Sequence, residues 1–254
     1  MENWQEDLLS EFLIVKNEYQ LFEIVKSTAS KLGFDYCAYG MQSPLSIAEP
    51  KTIMLNNYPE AWQKRYVEQQ YVKIDPTVQH CMVSLQPLVW SSQSAKTQSS
   101  QSAKTQSSQS AKTQEEKDFW EEARSYGLNV GWAQSSRDFI GTRGMLTLAR
   151  SNDQLSEKEQ KAQYTNMYWL SQTVHSSIAK VVNEVEFAQF KLYLTNREKE
   201  ALRWTAEGKT SAEIAQILGV TERTVNFHLG NSMQKLNVNN KISAAIRAVM
   251  LGLL

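Results

Sequence analysis

Apolar positions at three- and four-residue spacing open the chain: Leu8, Leu9, Phe12, Leu13, Leu21, Phe22, Val25 and Leu32 predict helix over residues 4–32, ended by Gly33. Two strand-like runs follow, Asp35 to Met41 and Lys51 to Asn57, parted by the breakers Ser43-Pro44 and Glu49-Pro50. A helix from Pro59 to about Gln70 carries proline in its first turn. Leu85 to Trp90 has strand character, Glu115 to Tyr126 reads as an aromatic-rich helix, and Leu128–Ser136 and Gly144–Arg150 read as strands. Ser156-Glu157-Lys158-Glu159 then caps a long helix. Its apolar face (Met167, Tyr168, Leu170, Val174, Ile178, Val181, Val182, Val185) is wide enough to serve both a core and a partner, so a dimer is expected. Helices flanking several short strands predict an α/β/α sandwich, a form that encloses small ligands.

The last quarter has a different rhythm. Thr195 and Glu198 form a T-x-x-E capping box, and Thr210 with Glu213 repeats it. Gly208 stops the first helix; Ile214, Ala215 and Leu218 then share one face of a short second helix, and Gly219-Val220-Thr221 is a turn. The next helix, about Glu222 to Leu236, turns Val225, His228, Leu229, Ser232, Met233 and Leu236 inward. The opposite stripe, Arg223, Asn226, Phe227, Gly230, Asn231 and Gln234, is free to enter a major groove, where amide and guanidinium groups match base edges. Lys209, Thr210, Thr221, Thr224 and Lys241 fall at or near helix starts, where backbone amides and side chains hold phosphates. Gly230, in a helix interior, costs about 1 kcal/mol relative to alanine and offers no contact.

Residues 195–254 resemble the DNA-binding domain of the LuxR family, through Glu198, Leu202, the Gly208-Lys209-Thr210 turn and Thr224-Val225-Asn226-Phe227-His228. The resemblance implies a four-helix helix-turn-helix domain reading a palindromic promoter site as a homodimer, with RNA polymerase as a further partner. The fold class expected is thus α+β: a sandwich domain over residues 1–186, a linker at 187–194, and the helix-turn-helix at 195–254.

Charge supports that division. Residues 187–254 hold nine Lys or Arg against five Asp or Glu, a balance of +4, so residues 1–186 carry 18 against 22, a balance of −4. Two cysteines, Cys37 and Cys81, without paired spacing or a leader-like start, argue for a reducing cytoplasm. No apolar run approaches the roughly 18 residues a membrane span needs, so no membrane partner is expected. His80, His175 and His228 are scattered, without metal-ligand spacing, so neither a metal nor a cofactor is expected.

Ser-Ser-Gln-Ser-Ala-Lys-Thr-Gln occurs three times without a difference over residues 91–114, starting at Ser91, Ser99 and Ser107. Lacking aromatic and branched aliphatic residues, this segment cannot bury a core and is expected at the surface.

Aromatic hydrogen-bond donors crowd around one acid in the first domain. Tyr58, Trp62 and Tyr66 stand four residues apart, followed by Ile74-Asp75-Pro76-Thr77-Val78 and Trp90. Spacing alone serves two readings, an aromatic packing stripe beside a surface carboxylate, or a pocket whose rings hold a hydrocarbon while Tyr, Trp and Asp fix a polar head. Residues 1–186 also resemble the autoinducer-binding domain of the LuxR family, whose ligands are N-acyl-homoserine lactones. By that resemblance Trp62 donates to the lactone carbonyl, Asp75 accepts the ligand amide, and Tyr58 and Thr147 reach the acyl carbonyl. Trp90 would wall the head group, with Tyr66, Val78, Cys81, Leu128 and Trp132 along the acyl chain.

A lactone-hydrolysing enzyme is the rival from another class, but the chain has no G-x-S-x-G elbow and no histidine cluster. A phosphorylation-dependent regulator would need an acidic cluster and a strand lysine that residues 1–186 do not offer in order. The surviving alternative is a factor of the same type that senses another small molecule, or none.

Overall fold

The computed structural model describes residues 4–43, 51–92, 114–138, 140–151, 154–187 and 193–254. They fall into two compact units: the first holds residues up to Gln42, Thr52–Arg137 and Arg143–Ala179; the second holds Lys180–Leu254 with Ser43, Lys51 and Asp138–Thr142.

In the first unit, strands β1 (Tyr36–Gln42), β2 (Thr52–Asn56), β3 (Leu88–Ser91), β4 (Val130–Arg137) and β5 (Arg143–Arg150) form one sheet in the order β2-β1-β5-β4-β3. Every pairing is antiparallel, and the register sets Ala38 opposite Asn56 and Thr147, with Ala133 opposite Thr147 on its other side. Because side chains alternate faces along a strand, Ala38, Thr147 and Ala133 share one face and Tyr39, Leu148 and Trp132 the other.

The Tyr39 face is covered by α6 (Glu157–Phe187), where the Tyr39 hydroxyl meets His175 Nδ1 at 2.8 Å and the Ser136 and Ser171 hydroxyls lie 3.1 Å apart. Helices α1 (Trp4–Ile14) and α2 (Glu18–Lys31) lie on this side, and Trp4 packs edge-on against Trp169 of α6. The Thr147 face is covered by α3 (Glu60–Glu68), a 3-10 turn (Tyr71–Lys73), α4 (Pro76–Val83) and α5 (Gln114–Ser125). The α/β/α arrangement expected from the alternation of elements is the one observed.

The apolar stripe over residues 4–32 belongs to two helices, not one. Asn17 interrupts it, because its carboxamide oxygen accepts the Gln20 amide at 2.8 Å and caps α2. Pro59 stands at the N-cap of α3, one residue before the helix. The helix α4 was not expected; Asp75 caps it and Pro76 is its first residue. Of the repeat at 91–114, only Ser91, Ser92 and Gln114 lie among the described residues.

The second unit carries four helices over its C-terminal part: α7 (Asn196–Ala206), α8 (Ser211–Leu218), α9 (Glu222–Lys235) and α10 (Lys241–Met250). Both capping boxes form, at Thr195/Glu198 and Thr210/Glu213. Leu202, Ile214, Val225, Leu229, Leu236 and Ala248 make a common core. Leu194, read from sequence as linker, is buried in that core. Gly219 ends α8 in the left-handed region at φ 65°, a conformation that costs glycine little and lets the chain turn sharply into α9.

Candidate ligand cavity and nucleic-acid interface

Between the sheet and α3–α4 lies a cavity of about 300 Å³. Its floor comes from Ala38 and Gly40 of β1, Met54 and Asn56 of β2, and Met145 and Thr147 of β5; Tyr58, Trp62 and Tyr66 descend from α3 and its approach, and Asp75, Thr77 and Val78 close one side. Five of the six ligand residues expected from the sequence, Tyr58, Trp62, Tyr66, Asp75 and Thr147, therefore surround one space.

Asp75 is the polar centre. Its Oδ1 accepts the Thr77 amide at 2.8 Å and the Thr77 hydroxyl at 2.7 Å, while Oδ2 accepts the Tyr66 hydroxyl at 2.9 Å. Asp75 also lines the cavity, so its carboxylate stands where a ligand donor can meet it. Burial pushes the Asp75 carboxyl above its usual range, and the bonds from Thr77, Tyr66 and the Val78 amide offset part of that rise. Burial and the neighbouring Asp75 charge push the phenols of Tyr58 and Tyr66 well up, so both remain hydrogen-bond donors at neutral pH. The Tyr58 hydroxyl has no hydrogen-bond partner among the described residues.

Trp62 is held rather than free to swing. Its ring lies 5.8 Å from Tyr66, 5.6 Å from Tyr71, 5.8 Å from Phe119 and 5.5 Å from Tyr126, which fixes the direction of the indole N–H. A clamp outside the cavity supports this cage: Glu122 of α5 accepts from Arg65 Nε and from the Tyr71 hydroxyl.

Trp90 is not among the residues that line the cavity. Its ring lies over Gly131, where any Cβ would collide with it, and packs against Trp120 with centroids 5.1 Å apart. Cys81 and Leu128 join the same aromatic cluster without lining the cavity, and burial pushes the Cys81 thiol up to about 12. Trp132, expected along an acyl chain, faces the opposite side of the sheet and is buried. Sequence reasoning missed Thr77, Asn56, Met54, Gln63, Val67 and Met145 as lining residues. Thr77 was legible, since a residue two positions after an N-cap Asp is where its carboxylate finds a donor. The strand residues were not, because their place depends on register.

In the second unit, α9 turns Val225, Leu229, Ser232 and Leu236 inward and leaves Arg223, Asn226, Phe227 and Gln234 exposed, with Gly230 and Asn231 half-buried. Thr221 caps α9, its Oγ1 accepting the Thr224 amide at 3.2 Å. Lys209 and Thr210 are exposed before α8, and Lys241 opens α10 behind its cap Asn240. Glu198 closes its capping box and also pairs with Lys235 Nζ at 2.8 Å, joining the start of α7 to the end of α9. Burial raises the Glu198 carboxyl, but Lys235 and the Thr195 bonds outweigh it and hold the group below its usual value. Among the described residues no group of three or more His, Cys, Asp or Glu is placed to hold a metal ion, and no helix is long and apolar enough to cross a membrane.

The autoinducer binding domain model matches residues 17–178, and the model for bacterial regulatory proteins of the luxR family matches residues 192–248. The chain is 86% identical over 254 residues, all of both chains, to the transcriptional activator protein AnoR of Acinetobacter nosocomialis. SdiA in complex with octanoyl-rac-glycerol superposes with a TM-score of 0.73 at 29% identity, covering 98% of this chain and 94% of that one. The N-acylhomoserine lactone dependent LuxR family transcription factor CepR2 from Burkholderia cenocepacia gives a TM-score of 0.58 at 25% identity, over 70% and 94% of the two chains. An autoinducer-binding cavity and a helix-turn-helix on one chain define a ligand-responsive, DNA-binding regulator of transcription. The chain belongs to the LuxR family.

Proposed function

We propose that this protein binds an N-acyl-homoserine lactone in the cavity of its first unit and, as a homodimer, controls transcription from palindromic promoter sites. The observation that carries this reading is the buried Asp75 carboxylate lining an otherwise largely apolar cavity. An amide N–H is the donor that suits it: the resulting charge-assisted bond is strong, and leaving either side unpaired in a buried site is costly. Trp62 donates to the lactone carbonyl, Tyr58 and Thr147 to the acyl carbonyl, and Tyr66 and Val78 flank the chain. Trp90 acts behind this shell, by seating Trp120 and the aromatic cluster.

The domain limits proposed are residues 1–186 for ligand and dimerisation, a linker from 187 that ends before the buried Leu194, and the remainder to 254 for DNA. The exposed Tyr164 and Tyr168 rings of α6, stacked 6.2 Å apart, support a partner face there. Lys209, Thr210, Thr221, Thr224 and Lys241 hold phosphates, and Arg223, Asn226, Phe227 and Asn231 meet the groove, with RNA polymerase a partner at the promoter. The protein works in the cytoplasm as a regulator rather than a catalyst, and needs no cofactor.

A second reading is favoured by the SdiA complex with octanoyl-rac-glycerol: an acyl ligand with a hydroxylated head and no amide. Calorimetry and thermal unfolding of the full chain with N-octanoyl-homoserine lactone and with 1-octanoylglycerol separate the two. At a hundred times its dissociation constant the true ligand adds about 2.7 kcal/mol of stability. Stabilisation by the glycerol ester alone overturns the lactone reading.

A further inference from the structure

Phe227 is the centre of the exposed face of α9 and is 63% exposed. At roughly 100° per residue, Arg223, Phe227, Gly230 and Gln234 lie within about 60° of one another, diametrically opposite the buried Val225, Leu229, Ser232 and Leu236. A large phenyl ring at the point of a helix farthest from its own core gains nothing from the fold. Among the described residues its only ring neighbour is His228, edge-on at 5.7 Å between centroids. One turn on, Gly230 has open space where a side chain would stand, so nothing at that position shields the ring.

From this arrangement, and resting on the DNA-reading role of α9, we propose that Phe227 is a specificity-determining residue that reads thymine through its 5-methyl group. A phenyl ring carries neither donor nor acceptor for the hydrogen-bond code of the major groove. The one apolar feature that code presents is the thymine methyl. Arg223 and Asn226, on the same side of the helix, read purine edges by hydrogen bonds, and the ring fixes a thymine beside them.

The full chain, expressed with N-octanoyl-homoserine lactone and alongside an unliganded control, is used to select duplexes from a random pool. Each thymine of the selected half-site is then replaced by deoxyuridine, which lacks only the methyl. The expected result is about a fourfold loss of affinity at one thymine per half-site, the effect of losing one buried methyl. In Phe227→Ala overall affinity falls and deoxyuridine at that position no longer matters; in Phe227→Leu the sensitivity persists. Enriched duplexes with no sensitive thymine, or with one that Phe227→Ala feels equally, overturn the proposal while leaving DNA reading intact. No enrichment under either condition overturns the DNA reading and this proposal with it. Full affinity for DNA in Phe227→Ala assigns the ring to a protein partner instead.

Discussion

The Tyr66 hydroxyl donates to Asp75 Oδ2 at 2.9 Å, so α3 and the start of α4 are joined by a bond that also aims a buried carboxylate into the cavity. Asp75 thereby has two duties, since its carboxylate caps α4 through Oδ1 and also lines the ligand space.

Asp75→Asn separates those duties, because asparagine caps a helix as well as aspartate does. The variant keeps its fold and loses about ten- to a hundredfold in lactone affinity, the cost of a charged hydrogen-bond partner. A reporter dose response identical to that of the parent chain would sink the assignment.

Affinity for an amide-bearing ligand also depends on pH. The Asp75 carboxyl is raised above the usual 3.8, so the folded chain binds that proton more tightly than the unfolded one. Its contribution to the stability of the unliganded protein is therefore greatest at low pH and is lost as pH rises from 3.8 through the raised value. A ligand N–H needs the ionised acceptor, so affinity climbs over that same window. Calorimetry across it tests the sign, and Asp75→Asn should flatten the profile.

Lys235→Met leaves the buried Glu198 carboxylate without its cation. The expected cost is about 3 kcal/mol in denaturant unfolding, whereas pairing it with Glu198→Gln recovers part of the loss. A double variant no more stable than the single one contradicts this account.

Gly230→Ala adds about 1 kcal/mol to helix stability, because open space surrounds the position. Gly230→Lys goes further at low salt, adding about one phosphate contact and steepening the salt dependence of DNA binding accordingly. Salt titrations that superimpose would place this face away from DNA.

Removing residues 99–114 leaves one octapeptide. Ser92 is tied to Asn129 by two bonds, the amide at 2.8 Å and the hydroxyl at 3.1 Å; Gln114, the last residue of the third copy, bonds Asp118 at 2.7 Å, and in the shortened chain the identical Gln98 takes its place before Glu115. With these ties kept whatever the copy number, the melting temperature and dose response should stay close to those of the parent, since a threefold shorter loop changes its closure cost by only about 1 kcal/mol. Displaced curves would give the repeats a regulatory role.

What sequence revealed was what neighbouring residues decide. Thr195 with Glu198 and Thr210 with Glu213 are three apart, so their caps read directly and the helix-turn-helix with them. The break at Asn17 was as local, but the apolar stripe running across it masked the signal. The fate of Trp90 turns on pairing with Gly131, a partner far along the chain whose missing side chain makes room for the ring. Register of that kind has no local signature, which is why Met145 and Asn56 were missed while Asp75 and Trp62 were found.

The strand order has a consequence in time. Ala38 and Thr147 are neighbours in the sheet, yet more than a hundred residues of synthesis separate them. At about 5–20 residues per second, β1 waits roughly 5–20 s on the ribosome before β5 emerges to complete the floor of the cavity. During that interval the β1–β2 hairpin keeps an unpaired strand edge. Each octapeptide adds about 0.4–1.6 s to that delay, so copy number slightly extends the nascent chain's exposure to chaperones, proteases and the ligand itself.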